Sequence, residues 1–140
     1  MIREGARFHL PDGWLDFSRD TLSTGILWLV RKDYRATLGV EEVHLAGNQA
    51  ELADVAHALL RLETGAPGGR VVSPPAEEEV GGGKAVAFRI TRSGGEEVRV
   101  AVVRKGGKTY AVTAVQRRET PTPFADLVGV QRAVVEDLLR

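Results

Sequence analysis

A chain of 140 residues with no cysteine, 43% apolar and 27% charged residues, is long enough for one hydrophobic core and too short for two. That composition excludes a disulfide scaffold, a thiolate metal site, a cysteine nucleophile and a disordered chain, so one domain over residues 1–140 is expected. Its net charge of zero conceals a split: Lys84 to Arg118 holds nine basic residues against Glu96 and Glu97, a local +7, and the remainder carries −7. Such a block could attract nucleic acid or an acidic partner. Three of its cations, Arg104, Lys105 and Lys108, lie in or beside the Gly106-Gly107 turn, however, where charge is solvated.

Met1 to Gly13 is polar and turn-rich and has no apolar stretch of the length a signal peptide or membrane span needs. A cytoplasmic protein with no membrane insertion is therefore expected. Arg7 to Leu10 reads as a short strand, and Pro11-Asp12-Gly13 as a turn that returns Trp14 to the core. Ile26 to Lys32 and Thr37 to Leu45 are the next strands, rich in β-branched and aromatic residues, with a bulge expected at Glu41-Glu42. Asn48 and Glu51 approximate a capping box, after which Leu52, Val55, Ala56, Leu59 and Leu60 follow helical spacing to about Glu63. Gly65 and Pro67 stop this first helix. Ser73 to Gly83 (SPPAEEEVGGG) has the composition of a mobile loop.

Ala85 to Arg92, Glu97 to Arg104 and Thr109 to Arg118 form a three-stranded antiparallel meander joined by Gly-rich turns. Thr122, with Pro123 at the first helical position, opens a second helix. Its stripe of Phe124, Leu127, Val128, Gln131, Val134, Val135, Leu138 and Leu139 must lie on the sheet.

Alternation puts Val86, Phe88 and Ile90 with Val98, Val100 and Val102 on one face, which the second helix is expected to cover. Ala87, Arg89 and Thr91 then share the other face with Arg99, Ala101 and Val103, and the last strand adds either Thr113 and Val115 or Tyr110, Val112 and Ala114. That face mixes small apolar groups with arginines where a wet face would be polar. Either the first helix or the long loop covers it, or it is a groove for a protein segment or a dimer partner. Ala87, Arg89, Arg99, Ala101, Val103, Thr113 and Val115 are the candidate partner-binding residues.

No constellation for catalysis, cofactor or metal emerges. Gly106-Gly107-Lys108-Thr109 imitates the tail of a phosphate loop, but Val102 stands where the motif needs glycine. His9, His44 and His57 are widely separated, no Gly-x-Ser-x-Gly elbow exists, and Asp12, Asp16 and Asp20 lack the remaining ligands of a calcium loop. A protein that is not an enzyme, with no cofactor, is expected.

Phe8-His9-Leu10-Pro11-Asp12-Gly13-Trp14, Gly107 to Thr113 and the helix from Phe124 together resemble the PsbP/Mog-like fold superfamily. The resemblance implies an α+β fold in which an antiparallel sheet of about six strands is flanked by two amphipathic helices. Its members include photosystem accessory proteins, Ran-binding Mog proteins, bacterial envelope proteins and cytoplasmic chaperones of type VI secretion effectors, all binding modules. Glu4 to Asp16 and Leu29-Val30-Arg31-Lys32-Asp33 look most like those chaperones, which implies a dimer cradling an apolar segment of its cargo; Val40 to Leu62 departs from them. Fold likeness is an associational warrant for function. A chaperone or adaptor is one reading, a structural or regulatory protein-interaction module a second, and a weakly basic nucleic-acid binder a third. Phe88 and Tyr110 are the only aromatics in the basic block, few for base stacking.

Overall fold

The computed structural model describes residues 2–3, 6–18, 25–44, 51–65 and 67–140. Strands β1 (Ile2–Arg3) and β2 (Ala6–Arg7) make a small antiparallel ribbon. The main elements follow as β3 (Trp14–Asp16), β4 (Gly25–Arg31), β5 (Ala36–Glu42), α1 (Leu52–Thr64), β6 (Arg70–Val80), β7 (Gly83–Thr91), β8 (Glu97–Lys105), β9 (Lys108–Gln116) and α2 (Phe124–Leu139). β3 to β9 form one sheet in the order β3-β4-β5-β9-β8-β7-β6, and every neighbouring pair is antiparallel. The sheet is an α+β architecture with seven strands where the sequence predicts about six.

The strand read over Arg7 to Leu10 is not part of this sheet, since only Arg7 of it is in a strand (β2), and two strands lie outside the elements read from the sequence: β3, and β6, which occupies most of the segment read as a loop. β6 pairs with β7 through the tight turn at Gly81 and Gly82, whose φ values of 55° and 81° suit glycine. Its register shifts twice, between Val71 and Ser73 and between Ser73 and Ala76, because Pro74 and Pro75 donate no ladder hydrogen bonds and are tolerated only at an edge. Pro and a Glu77-Glu78-Glu79 run are what a protected edge strand requires, so loop and edge strand share one composition.

Smaller differences are local. The irregularity in the β4–β5 pair lies between Gly25 and Leu27 rather than at Glu41-Glu42. Glu51 is itself the N-cap of α1 and makes no side-chain cap bond; Asn48 and Leu45 lie outside the described residues, as does Asp20. Pro123 stands at the N-cap of α2, one residue before the helix. Leu10 is exposed and not in a strand.

The helices lie on opposite faces, and the assignment from alternation is inverted. α2 packs over β8 and β9, where Leu127, Val134, Val135 and Leu138 join Ala85, Ala87, Ala101, Val103, Tyr110, Val112 and Ala114 in one core layer that also takes in Phe8 and Trp14. α1 packs over β6, β7 and β8. There Val55 and Ala56 meet Val86, Phe88, Ile90, Val98, Val100 and Val102. Volume complementarity explains the choice. The helix with the larger buried side chains sits on the alanine-rich face, and the helix that buries only Val55 and Ala56 sits on the face carrying valines, Phe88 and Ile90.

Leu138 is fully buried in the α2 layer. Leu138→Ala is expected to destabilise the protein by about 2 to 5 kcal/mol, and a thermal melt that does not move would contradict the docking of α2.

Candidate functional site

The residues singled out from the sequence divide among three environments. Ala101 and Val103 are fully buried beneath α2 and offer nothing to a guest; the face expected to be open is an internal core. Ala87, Arg89 and Arg99 lie on that same face but border a cleft. Thr113 and Val115 point the other way, being the register partners of Val100 and Val98, and they stand at the margin of the layer that α1 covers.

The open surface is therefore the remainder of the α1 side. Among the described residues, the core layer beneath α1 takes none from β3, β4 or β5. Following the register outward from Thr113 and Val115 gives Gly39 and Thr37 on β5, then Trp28 and Val30 on β4, then Leu15 on β3. All are half-buried except Trp28, which is 36% exposed. Trp28 faces Gly39 across the β4–β5 ladder. A Cβ on Gly39 would stand 2.8 Å from Cε3 and Cζ3 of the indole, so the ring rests on bare backbone. The result is a half-sheet of aliphatic residues, Gly39 and two threonines with an aromatic platform at its centre. Sequence reasoning missed Trp28; the available signal was an aromatic opposite a strand glycine, a known device for shielding such a glycine.

The surface has a charge polarity. Lys32, Arg35 and Arg117 stand at the end from which β5 starts, and Glu41 stands at the other. A guest with acids at one end would be oriented by it.

The cleft lies between β6 and α2, beside the double register shift of β6. It encloses about 300 Å³ and is lined by Ser73, Pro74 and Ala76 on one side, Val128 and Arg132 on the other, with Ala87, Arg89 and Arg99 as its floor. Arg99 is buried and donates from Nη1 to Gln131 Oε1 at 2.7 Å and from Nη2 to Glu78 Oε2. Gln131 Nε2 donates in turn to the carbonyls of Arg99 and Val112, at 2.9 and 2.8 Å. Gln131, read from the sequence only as part of an apolar stripe, is the residue that makes a buried arginine tolerable. The Arg89 guanidinium lies 4.5 Å from the centre of the Phe124 ring.

The basic block does not assemble into one face. Arg89 and Arg99 turn toward α2, Arg92 is paired with Glu63 of α1 at 2.9 Å, and Lys105 donates to the Arg140 carbonyl at 2.7 Å. Among the described residues no cluster of His, Asp and Glu could hold a metal ion, and no helix is long and apolar enough to cross a membrane.

No protein-family model matches the chain, and no curated protein matches it. Solved structures do. LpqN, involved in cell envelope biogenesis of Mycobacterium tuberculosis, is 15% identical with a TM-score of 0.63, over 91% of this chain and 78% of that one. The cyanobacterial PsbP protein (CyanoP) of Synechocystis is 10% identical with a TM-score of 0.64, over 93% of this chain and 83% of that one. PA94, a Pseudomonas aeruginosa protein of unknown function, is 15% identical with a TM-score of 0.57, over 100% of this chain and 94% of that one. At these identities the likeness establishes the fold, which is PsbP-like.

Proposed function

We propose that this protein is a non-enzymatic protein-binding module whose guest is an apolar polypeptide segment laid on the half-sheet around Trp28. The observation that carries the reading is a large aromatic side chain, 36% exposed, on a sheet face that it shares with Leu15, Val30, Val115, Gly39 and two threonines. Such a surface gains free energy when covered, and tryptophan anchors are enriched at binding hot spots. The specific form we propose is a cytoplasmic chaperone or adaptor, acting as a homodimer, for an apolar segment of a secreted effector. That form draws on the resemblance of the Glu4 to Asp16 and Leu29 to Asp33 stretches of the sequence to effector chaperones.

The test begins with co-purification from the native cell and identification of the partner by mass spectrometry. The partner is then titrated onto the protein while acrylamide quenching of tryptophan emission is followed. Trp14 is only 5% exposed and Trp28 36%, so nearly all quenching reports Trp28. Binding is expected to protect it; a partner that binds and leaves quenching unchanged rules out this surface. Light scattering that returns a monomer at high concentration removes the homodimer, and a partner unrelated to secretion removes the effector assignment.

A further inference from the structure

We propose that the cleft between β6 and α2 is a second binding site, for a carboxylate carried on a polypeptide, with Arg89 as its primary donor. The proposal stands independently of the Trp28 surface. Arg89 and Arg99 are direct cross-strand partners on β7 and β8. Like charges placed opposite one another destabilise a sheet, so the pair is a cost the fold carries. Arg99 is compensated by Gln131 and Glu78. Arg89 is not: its guanidinium stacks on Phe124 and has no hydrogen-bond acceptor or acidic partner among the described residues. Arg132 places a third guanidinium at the rim, reaching Glu78 Oε2 at 3.3 Å.

Glu77 and Glu78 both line the cleft, and Glu78, which its arginines already hold, indicates the ligand. Glu78 serves both Arg99 and Arg132 through the single atom Oε2, while its Oε1 is buried without any partner. A buried oxygen of that kind lacks a donor. A guest carboxylate on Arg89 supplies the acceptor that this guanidinium lacks. The walls of Pro74, Ala76, Ala87 and Val128 suit the carbon skeleton of an amino-acid residue. The planar arginine fork matches a carboxylate in two parallel bonds.

The experiment uses the full chain and follows the arginine Nε–H signals by NMR during titration to concentrations on the order of 10 mM, the range in which a lone carboxylate contact binds. Four probes are compared: acetyl-Ala-Ala-Glu-Ala-Ala-amide, the same peptide with Gln for Glu, acetyl-Ala-Ala-Ala-Ala with a free C-terminus, and inorganic phosphate. Saturable shifts at Arg89 are expected with the Glu peptide or the free C-terminus, and whichever binds more tightly identifies a side-chain or terminal acid as the source. Arg89→Leu should weaken that binding at least tenfold while melting at or above the wild-type temperature, since it removes the like-charge opposition. Arg89→Lys, which keeps the charge and loses the fork, should fall between them. The proposal is overturned if neither acid binds, if the Gln peptide binds equally, if Arg89→Leu binds like wild type, or if phosphate binds more tightly than both acids.

Discussion

Ala101→Glu is expected to lower the melting temperature by about 20 °C or more, or to abolish cooperative unfolding altogether. Ala101 is fully buried, with Ala87 and Val112 as its cross-strand partners and α2 above it. A glutamate there must bury a carboxylate, at a cost of several kcal/mol even after relaxation. It must also fit four further heavy atoms into a filled layer, at about 1 to 3 kcal/mol. The guanidinium best placed to compensate, on Arg99, is already held by Gln131 and Glu78. The sum rivals the whole stability of an ordinary domain, about 5 to 15 kcal/mol. If Ala101→Glu instead melts like wild type, α2 does not cover this face and the inverted helix assignment is wrong.

What the sequence expressed directly was periodicity. The β7-β8-β9 meander, the span of α1 and the apolar stripe of α2 are all readable because each element repeats its pattern over nine residues or more. Alternation along β7 and β8 also sorts side chains correctly into two sets, since Val86, Phe88 and Ile90 do share a layer with Val98, Val100 and Val102. It cannot say which helix takes which set, because both are apolar enough to be buried. The fit of small against large side chains decides that, and it depends on pairs of elements far apart in the chain. Residues such as Gln131 and Glu78 belong to the same class: each reads locally as a stray polar group on an apolar stripe or as one of a solvated acidic run. Only the fold brings both to Arg99.

The candidate site was legible in kind and misplaced in position. A half-dry sheet surface exists, but it comes from the extent of α1 rather than from the parity of β8. α1 spans 13 residues and packs over β6, β7 and β8. β9, β5 and β4 continue the sheet beyond it, because β5 pairs with β9 across a long sequence separation. No local pattern announces that pairing. Thr113 and Val115 were therefore named on the wrong face and without their neighbours there, Trp28 and Gly39.

Thr113→Glu is the counterpart to Ala101→Glu and tests the proposed function rather than the fold. Thr113 is half-buried on β9, with Gly39 on one side and Val100 on the other, so its side chain rises beside the slot in which Trp28 lies. In the free protein a glutamate at this position keeps its carboxylate in water. The expected loss of stability is about 1 kcal/mol, the span of strand propensity, and a few degrees of melting temperature. An apolar guest laid across Trp28 would have to bury that carboxylate with no cation beside it, since Lys32, Arg35 and Arg117 stand at the far end of the surface. The desolvation cost is at least about 2.7 kcal/mol, or a hundredfold in affinity. Pull-down and isothermal titration with the partner identified from the native cell should therefore lose the interaction in Thr113→Glu while the thermal melt stays close to wild type. A variant that folds normally and binds at wild-type affinity would show that the partner does not lie on the Trp28 half-sheet.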